Sequence, residues 1–146
     1  TLAADFDKKD IEPQTRFIDL PKSLKCAGFP IREYDEKIPA NLTAEQILVR
    51  SGNIGSVRIA QKVGAEKFKL FLEKVGILSE IDFDIEEVAP QKKHVFGKCR
   101  LATASFGHGI ITTILQLSKG YAVLSNGGYE IKPTLVYKDN KTKKKK

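Results

Sequence analysis

The sequence predicts a mixed chain in which well-marked helices carry most of the structure and a few short strands stand beside them. Three observations lead there. Two stretches open with the same helix-start signature, Thr43 with Gln46 three residues on and Thr113 with Gln116. A third holds Phe68, Phe71, Leu72 and Val75 at helical spacing. The β-prone segments, by contrast, are short and bounded or interrupted by prolines.

In chain order, residues 1–6 read as the end of a helix entered from upstream, closed by polar residues 7–10, and the first residue is Thr1 rather than Met, so a piece of a longer protein is expected. Residues 15–20, between Pro13 and Pro21, form a candidate short strand. Residues 22–34, with Gly28 and Pro30, suit an extended excursion or a small hairpin. From Thr43, the residues Ala44, Ile47 and Leu48 give a short helix one apolar face. Ser51-Gly52-Asn53 then breaks it, and the apolar pattern resumes at Ile54, Val57, Ile59, Ala60 and Val63 before Gly64. A small polar triplet is thereby held between two helices, an arrangement able to fix a hydroxyl and an amide on ordered supports. Read alone, the triplet is an interhelical turn, because Ser, Gly and Asn favour turns for purely local reasons.

The next helix sets Phe68, Phe71, Leu72 and Val75 against Glu66, Lys67, Lys69, Glu73 and Lys74, and ends at Gly76. Residues 77–98 lack a helical period and carry Glu80, Asp82, Asp84, Glu86 and Glu87, which suits an edge strand or a solvated loop. With no second cluster of ligands, those carboxylates read as a solvated face rather than a metal or acid–base site. Residues 100–111 are dense in small side chains, with Gly107 and Gly109 flanking His108. The spacing is not that of a dinucleotide-binding loop. His108 reads as a hydrogen-bonded structural side chain before a general base. The helix opened by Thr113 carries the stripe Ile114, Leu117, Tyr121 and Leu124 up to Asn126-Gly127-Gly128, and residues 131–137 follow as a β-prone strand with Pro133 near its start.

Composition narrows function only loosely. The 146 residues, 41% of them hydrophobic, are enough for one domain or part of one. Five of the seven net positive charges come from Lys141 and the run Lys143, Lys144, Lys145 and Lys146, which reads as a disordered, solvated tail (residues 141–146) rather than a polyanion-binding arm. Aromatics interleaved with Lys and Arg on one surface are not evident, so a nucleic-acid partner is not expected. Cys26 and Cys99 are too few and too far apart for a metal site, and a disulfide between them is possible but not legible from spacing. No metal or other cofactor is expected. No stretch of these residues has the charged start and apolar middle of a signal peptide, and none is an apolar run of the ~20 residues a membrane span requires.

Taken together, residues 42–60, 68–76, 102–110 and 113–128 with Lys132-Pro133 resemble the transpeptidase domain of class B penicillin-binding proteins, most closely the septal, cell-division type. The resemblance covers nearly the whole chain in order, and it changes the reading of Ser51-Gly52-Asn53. It implies an α+β fold of the penicillin-binding, serine β-lactamase-like type, with residues 1–140 as part of the domain, mostly its helical subdomain. It also implies peptidoglycan D,D-transpeptidation through an acyl-serine intermediate. In that family an S-x-x-K serine attacks the stem-peptide carbonyl, and S-x-N and K-T-G motifs complete the site. Ser51 and Asn53 fall on the S-x-N positions: Ser51 would stand in the proton path and Asn53 would orient substrate and catalytic lysine.

Two departures are small. Gly52 stands where the division type commonly has Ser, and Ile114 replaces a Pro expected at the start of the late helix. Two are larger, because neither S-x-x-K nor K-T-G occurs within these residues. The chain by itself is therefore expected neither to hydrolyse β-lactams nor to be acylated by them, and apolar faces that pack on the rest of the domain are expected to be exposed. The partners implied are peptidoglycan stem peptides, β-lactams and division or cell-wall synthesis proteins. The location implied is the outer side of the cytoplasmic membrane, with an anchor that is not in this sequence. A catalytically inactive binding or scaffold module of the same fold, in which Ser51 and Asn53 survive as a turn, is the alternative.

Overall fold

A computed structural model of the chain describes residues 11–81, 83 and 95–136. These fall into two compact units, one holding the described residues up to 73 and from 95 to 111, the other those from 74 to 83 and from 112 to 136. The expected helix end at residues 1–6, most of the acidic stretch and the lysine tail lie outside the described residues.

The first unit begins with two small antiparallel pairs. Strand β1 (Arg16–Phe17) pairs with β4 (Leu42–Thr43), bringing the buried side chains Phe17 and Leu42 into register. The strand predicted over residues 15–20 is cut to two residues. Asp19 takes a left-handed backbone (φ 54°) while its N–H donates to Asn41 Oδ1 (2.9 Å), which turns the chain out of the ladder. The expected hairpin is present as β2 (Ser23–Cys26) and β3 (Phe29–Arg32), with Cys26 opposite Phe29. Ala27 and Gly28 join them, both at positive φ (48° and 86°), as a two-residue I′ turn requires.

Helix α1 (Ala44–Val49) starts in a full capping box: the Gln46 N–H donates to Thr43 Oγ1 and the Thr43 N–H to Gln46 Oε1. Its Ala44 and Ile47 are completely buried, but Leu48 is 64% exposed, so the buried face is narrower than the sequence pattern indicates. Helix α2 (Asn53–Val63) buries Ile54, Val57, Ile59, Ala60 and Val63, all five of the residues predicted for it. Helix α3 (Ala65–Lys74) buries Phe68 and Leu72, and Phe96 meets the Phe68 ring edge-on at 5.9 Å.

Helix α4 (Lys98–Ala104) overlaps the start of the stretch 100–111, read only as dense in small residues. At seven residues, and with no side-chain cap, it is too short for periodicity to reveal. Its Ala102 joins one core with Ile11, Phe17, Ile31, Ile38, Ile47, Ile54 and Val57. A Cys26–Cys99 disulfide ties β2 to the first turn of α4 across 73 residues of chain.

In the second unit, helix α5 (Ile114–Ser125) opens with the predicted capping box at Thr113. Gln116, fully buried, is hydrogen-bonded through both ends of its side-chain amide. Its Oε1 accepts the Thr113 N–H (2.8 Å) and lies 3.1 Å from Thr112 Oγ1, and its Nε2 donates to the Ser79 carbonyl (2.8 Å). Gly120 and Val123 are buried beside it, with the chain at Ile77 close enough that a Cβ on Gly120 would lie 3.0 Å from Ile77 Cγ1. The stripe Ile114, Leu117, Tyr121 and Leu124 is instead exposed, the kind of apolar face the resemblance leads one to expect. Residues 131–136 form no strand, and among the described residues they enter no hydrogen-bonded ladder. Lys119 Nζ donates to Glu130 Oε1 (2.8 Å), and this hydrogen bond with its ammonium charge holds the Glu130 carboxyl below its ordinary value. The contribution of that pair is complete above the ordinary Glu range and is lost as pH falls through the lowered Glu130 titration.

Candidate functional site

Ser51-Gly52-Asn53 sits at the junction of α1 and α2, and three sets of bonds fix it there. Arg50 closes α1, its N–H donating to the Gln46 carbonyl. The Ser51 N–H then donates to the Leu48 carbonyl (3.0 Å) and the Gly52 N–H to the Ile47 carbonyl (2.9 Å), folding the chain back on α1. Gly52 is the N-cap of α2 and Asn53 its first residue, so the triplet is half turn and half helix.

Ser51 is held in the left-handed region (φ 52°), unfavourable for any side chain but glycine. Its side chain is exposed, and its hydroxyl makes no hydrogen bond among the described residues. A hydroxyl held out in this way can accept one proton and donate another. Replacing Ser51 separates the backbone from the hydroxyl: Ser51→Gly removes the steric cost, whereas Ser51→Ala keeps it. Ser51→Gly is expected to be more stable than Ser51→Ala by about 1 kcal/mol in urea unfolding, and equal stabilities would show that the turn is not strained.

Asn53 is half-buried, and its Nδ2 donates to the Arg32 carbonyl at the end of β3 (2.9 Å). A carbonyl only accepts, so this bond sets which end of the carboxamide faces β3. It leaves Oδ1 and the second N–H for other partners. The Asn53 main-chain N–H and that of Ile54 donate to the two carboxylate oxygens of Glu33, at 2.6 Å and 3.0 Å. Sequence reading did not single out Glu33. No local signal marks it, since the bond spans 20 residues.

His108, in the same unit, has its main chain turned by Gly107 and Gly109, both at positive φ (91° and 80°), and its N–H donates to the Thr103 carbonyl. Its side chain is exposed and makes no hydrogen bond among the described residues, so the hydrogen-bonded structural role expected for it is not seen. Among the described residues no group of three or more His, Cys, Asp or Glu side chains is placed to hold a metal ion. Two surface cavities of about 330 and 390 Å³ lie against Arg16, Phe17 and Ile18, and neither is lined by Ser51 or Asn53. No helix among the described residues is long and apolar enough to cross a membrane.

Comparison with known proteins places this geometry in a family. The model of the penicillin-binding protein transpeptidase domain matches residues 1–146. A protein of Mesostigma viride named peptidoglycan D,D-transpeptidase FtsI homolog is 31% identical over 104 residues, covering 66% of this chain and 17% of the relative. A probable peptidoglycan D,D-transpeptidase FtsI of Caulobacter vibrioides is 28% identical over 100 residues, covering 68% of this chain and 17% of the relative. The chain thus spans less than a fifth of the length of either.

Among solved structures, the apo transpeptidase domain of penicillin-binding protein 3 from Burkholderia pseudomallei superposes with a TM-score of 0.78 at 19% identity, over 96% of this chain and 43% of that one. Penicillin-binding protein 3 from Mycobacterium tuberculosis, solved with aztreonam, superposes at 0.73 with 22% identity, over 90% of this chain and 30% of that one. These likenesses show the fold, and the α+β mixture of short strands and helices agrees with it. With the family model matching end to end, the chain belongs to the penicillin-binding protein transpeptidase domain family.

Proposed function

We propose that this chain supplies the S-x-N element of a peptidoglycan D,D-transpeptidase active in cell division. In this reading Ser51 relays a proton between the catalytic lysine and the leaving amine, and Asn53 orients the substrate amide. The observation that carries it is the presentation of the pair: a hydroxyl with no hydrogen bond among the described residues, in a left-handed turn, followed by an asparagine whose carboxamide is oriented by the Arg32 carbonyl. Transfer of the stem-peptide acyl group requires the nucleophile to lose a proton and the leaving nitrogen to gain one, both within ~3 Å of the reacting atoms. A hydroxyl with no fixed partner suits the relay, and a clamped amide suits orientation.

The nucleophile of the S-x-x-K motif and the K-T-G motif belong to sequence outside these residues. Substrates are peptidoglycan stem peptides, β-lactams acylate the same serine, and division and cell-wall synthesis proteins are the partners. The Cys26–Cys99 disulfide supports a location on the outer side of the cytoplasmic membrane, where thiols oxidise and remain oxidised.

Acylation of the longer protein by a fluorescent penicillin tests this reading. Specific labelling that Ser51→Ala slows by roughly a hundredfold or more is the expected result, with the 146-residue chain alone unlabelled. Labelling at an unchanged rate in Ser51→Ala would remove Ser51 from the proton path, and no labelling of the longer protein would favour an inactive scaffold of the same fold.

A further inference from the structure

We propose that Glu33 is the positioning residue of the Ser51–Asn53 element, an inference that rests on the functional reading above. The first N–H groups of a helix have no partner within it, and an N-cap side chain ordinarily meets part of that need. At α1 and α5 the cap is local, Thr43 and Thr113 each serving its own helix. At α2 the N-cap is Gly52, which has no side chain to offer. Glu33 takes over the task from the segment that follows β3, with Oε2 accepting the Asn53 N–H (2.6 Å) and Oε1 the Ile54 N–H (3.0 Å).

Steric crowding does not explain the glycine. A Cβ at Gly52 would lie 3.7 Å from Glu33 Oε1 and 3.7 Å from the Ile47 carbonyl oxygen, which are ordinary contacts. The consequence concerns Asn53 more than helix stability. Successive residues of one segment grip it twice, Glu33 by the main chain and the Arg32 carbonyl by the carboxamide (2.9 Å). The position and the direction of the Asn53 amide are therefore set together, by a segment remote in sequence. Loss of the Glu33 grip frees the start of α2 to shift. A displacement of about 1 Å in a group that orients substrate is enough to cost up to a hundredfold in rate.

The test compares acylation of the longer protein by a fluorescent penicillin in the unsubstituted form, Glu33→Gln, Glu33→Ala and Val63→Ala. Glu33→Gln keeps the shape but turns an NH₂ group toward a backbone N–H in place of an acceptor. Val63→Ala trims the buried end of the same helix, far along it from Asn53, and serves as the control for lost stability. The expected result is a roughly ten- to hundredfold fall in the acylation rate constant in both Glu33 variants, with β-lactam affinity moving less. Val63→Ala, with a lowered Tm, acylates at the unsubstituted rate. Acylation of Glu33→Ala at the unsubstituted rate, or an equal fall in Val63→Ala, overturns the role of Glu33 and leaves the proposed function standing. No acylation of the unsubstituted protein overturns both.

Discussion

Breaking the Cys26–Cys99 disulfide is expected to cost the first unit about 4 kcal/mol, the loop-closure value for cysteines 73 residues apart. The cost falls mainly on the unfolded chain, which regains the freedom the crosslink removes. Its structural effect falls on the β2–β3 hairpin, because Cys26 is the last residue of β2 and the bond holds that strand to the first turn of α4. Urea unfolding of oxidised and reduced protein measures the difference, with a thiol count to verify each state. Cys26→Ser, Cys99→Ser and the double variant should be equally destabilised, since either substitution removes the whole crosslink. If the reduced protein unfolds at the same midpoint as the oxidised, the bond does not restrict the unfolded chain enough to stabilise the fold. Arg32 and Glu33 lie at and just beyond the end of the same hairpin, so the acylation rate of the longer protein should fall on reduction as well.

Gly55→Ala should destabilise by about 2 kcal/mol, although alanine is the better helix former by nearly 1 kcal/mol. The reason is proximity. A Cβ on Gly55 would stand 2.5 Å from Ile47 Cγ1, 2.7 Å from Cγ2 and 2.8 Å from Cδ1. Ile47 is completely buried, so all three contacts are inside the core. Glycine at this position lets α1 and α2 cross closely, and the close crossing is what brings Ser51 and Asn53 onto one short junction. A double-mutant cycle makes the point quantitative: Ile47→Ala alone should cost about 2–5 kcal/mol for the cavity it leaves. Combined with Gly55→Ala it should cost clearly less than the two separately, because the new methyl occupies space the isoleucine vacates. Additive effects in urea unfolding would show that the two side-chain positions do not compete.

What could be read from the chain depended on how far apart the interacting residues are. The capping boxes at Thr43 and Thr113 were legible because donor and acceptor lie within one turn. The buried set of α2 was legible because Ile54, Val57, Ile59, Ala60 and Val63 share a helical face. The triplet Ser51-Gly52-Asn53 was legible as a turn from its residue types, and its reading as a candidate site came only through the family resemblance. The short helix at Cys99 escaped notice because seven residues give no period to count.

Elsewhere local pattern and final surroundings diverged. The strand predicted over residues 131–137 has no paired neighbour among the described residues, and β-propensity alone supplies no ladder partner. In α5 the apolar stripe is exposed while Gln116 is buried, since three hydrogen bonds on its side-chain amide, with Thr112, Thr113 and Ser79, make its burial tolerable.

The sequence by itself determined where the principal helices begin, where the chain must turn, and that a hydroxyl and a carboxamide stand together where one helix gives way to the next. These follow from interactions that reach no farther than one helical turn. Only the tertiary structure decided that Cys26 meets Cys99, that Gly55 admits Ile47, and that Glu33 and the Arg32 carbonyl hold Asn53. Each of those needs distant segments already folded against one another, and a side chain's partner across 20 or 73 residues leaves no mark on the residues beside it.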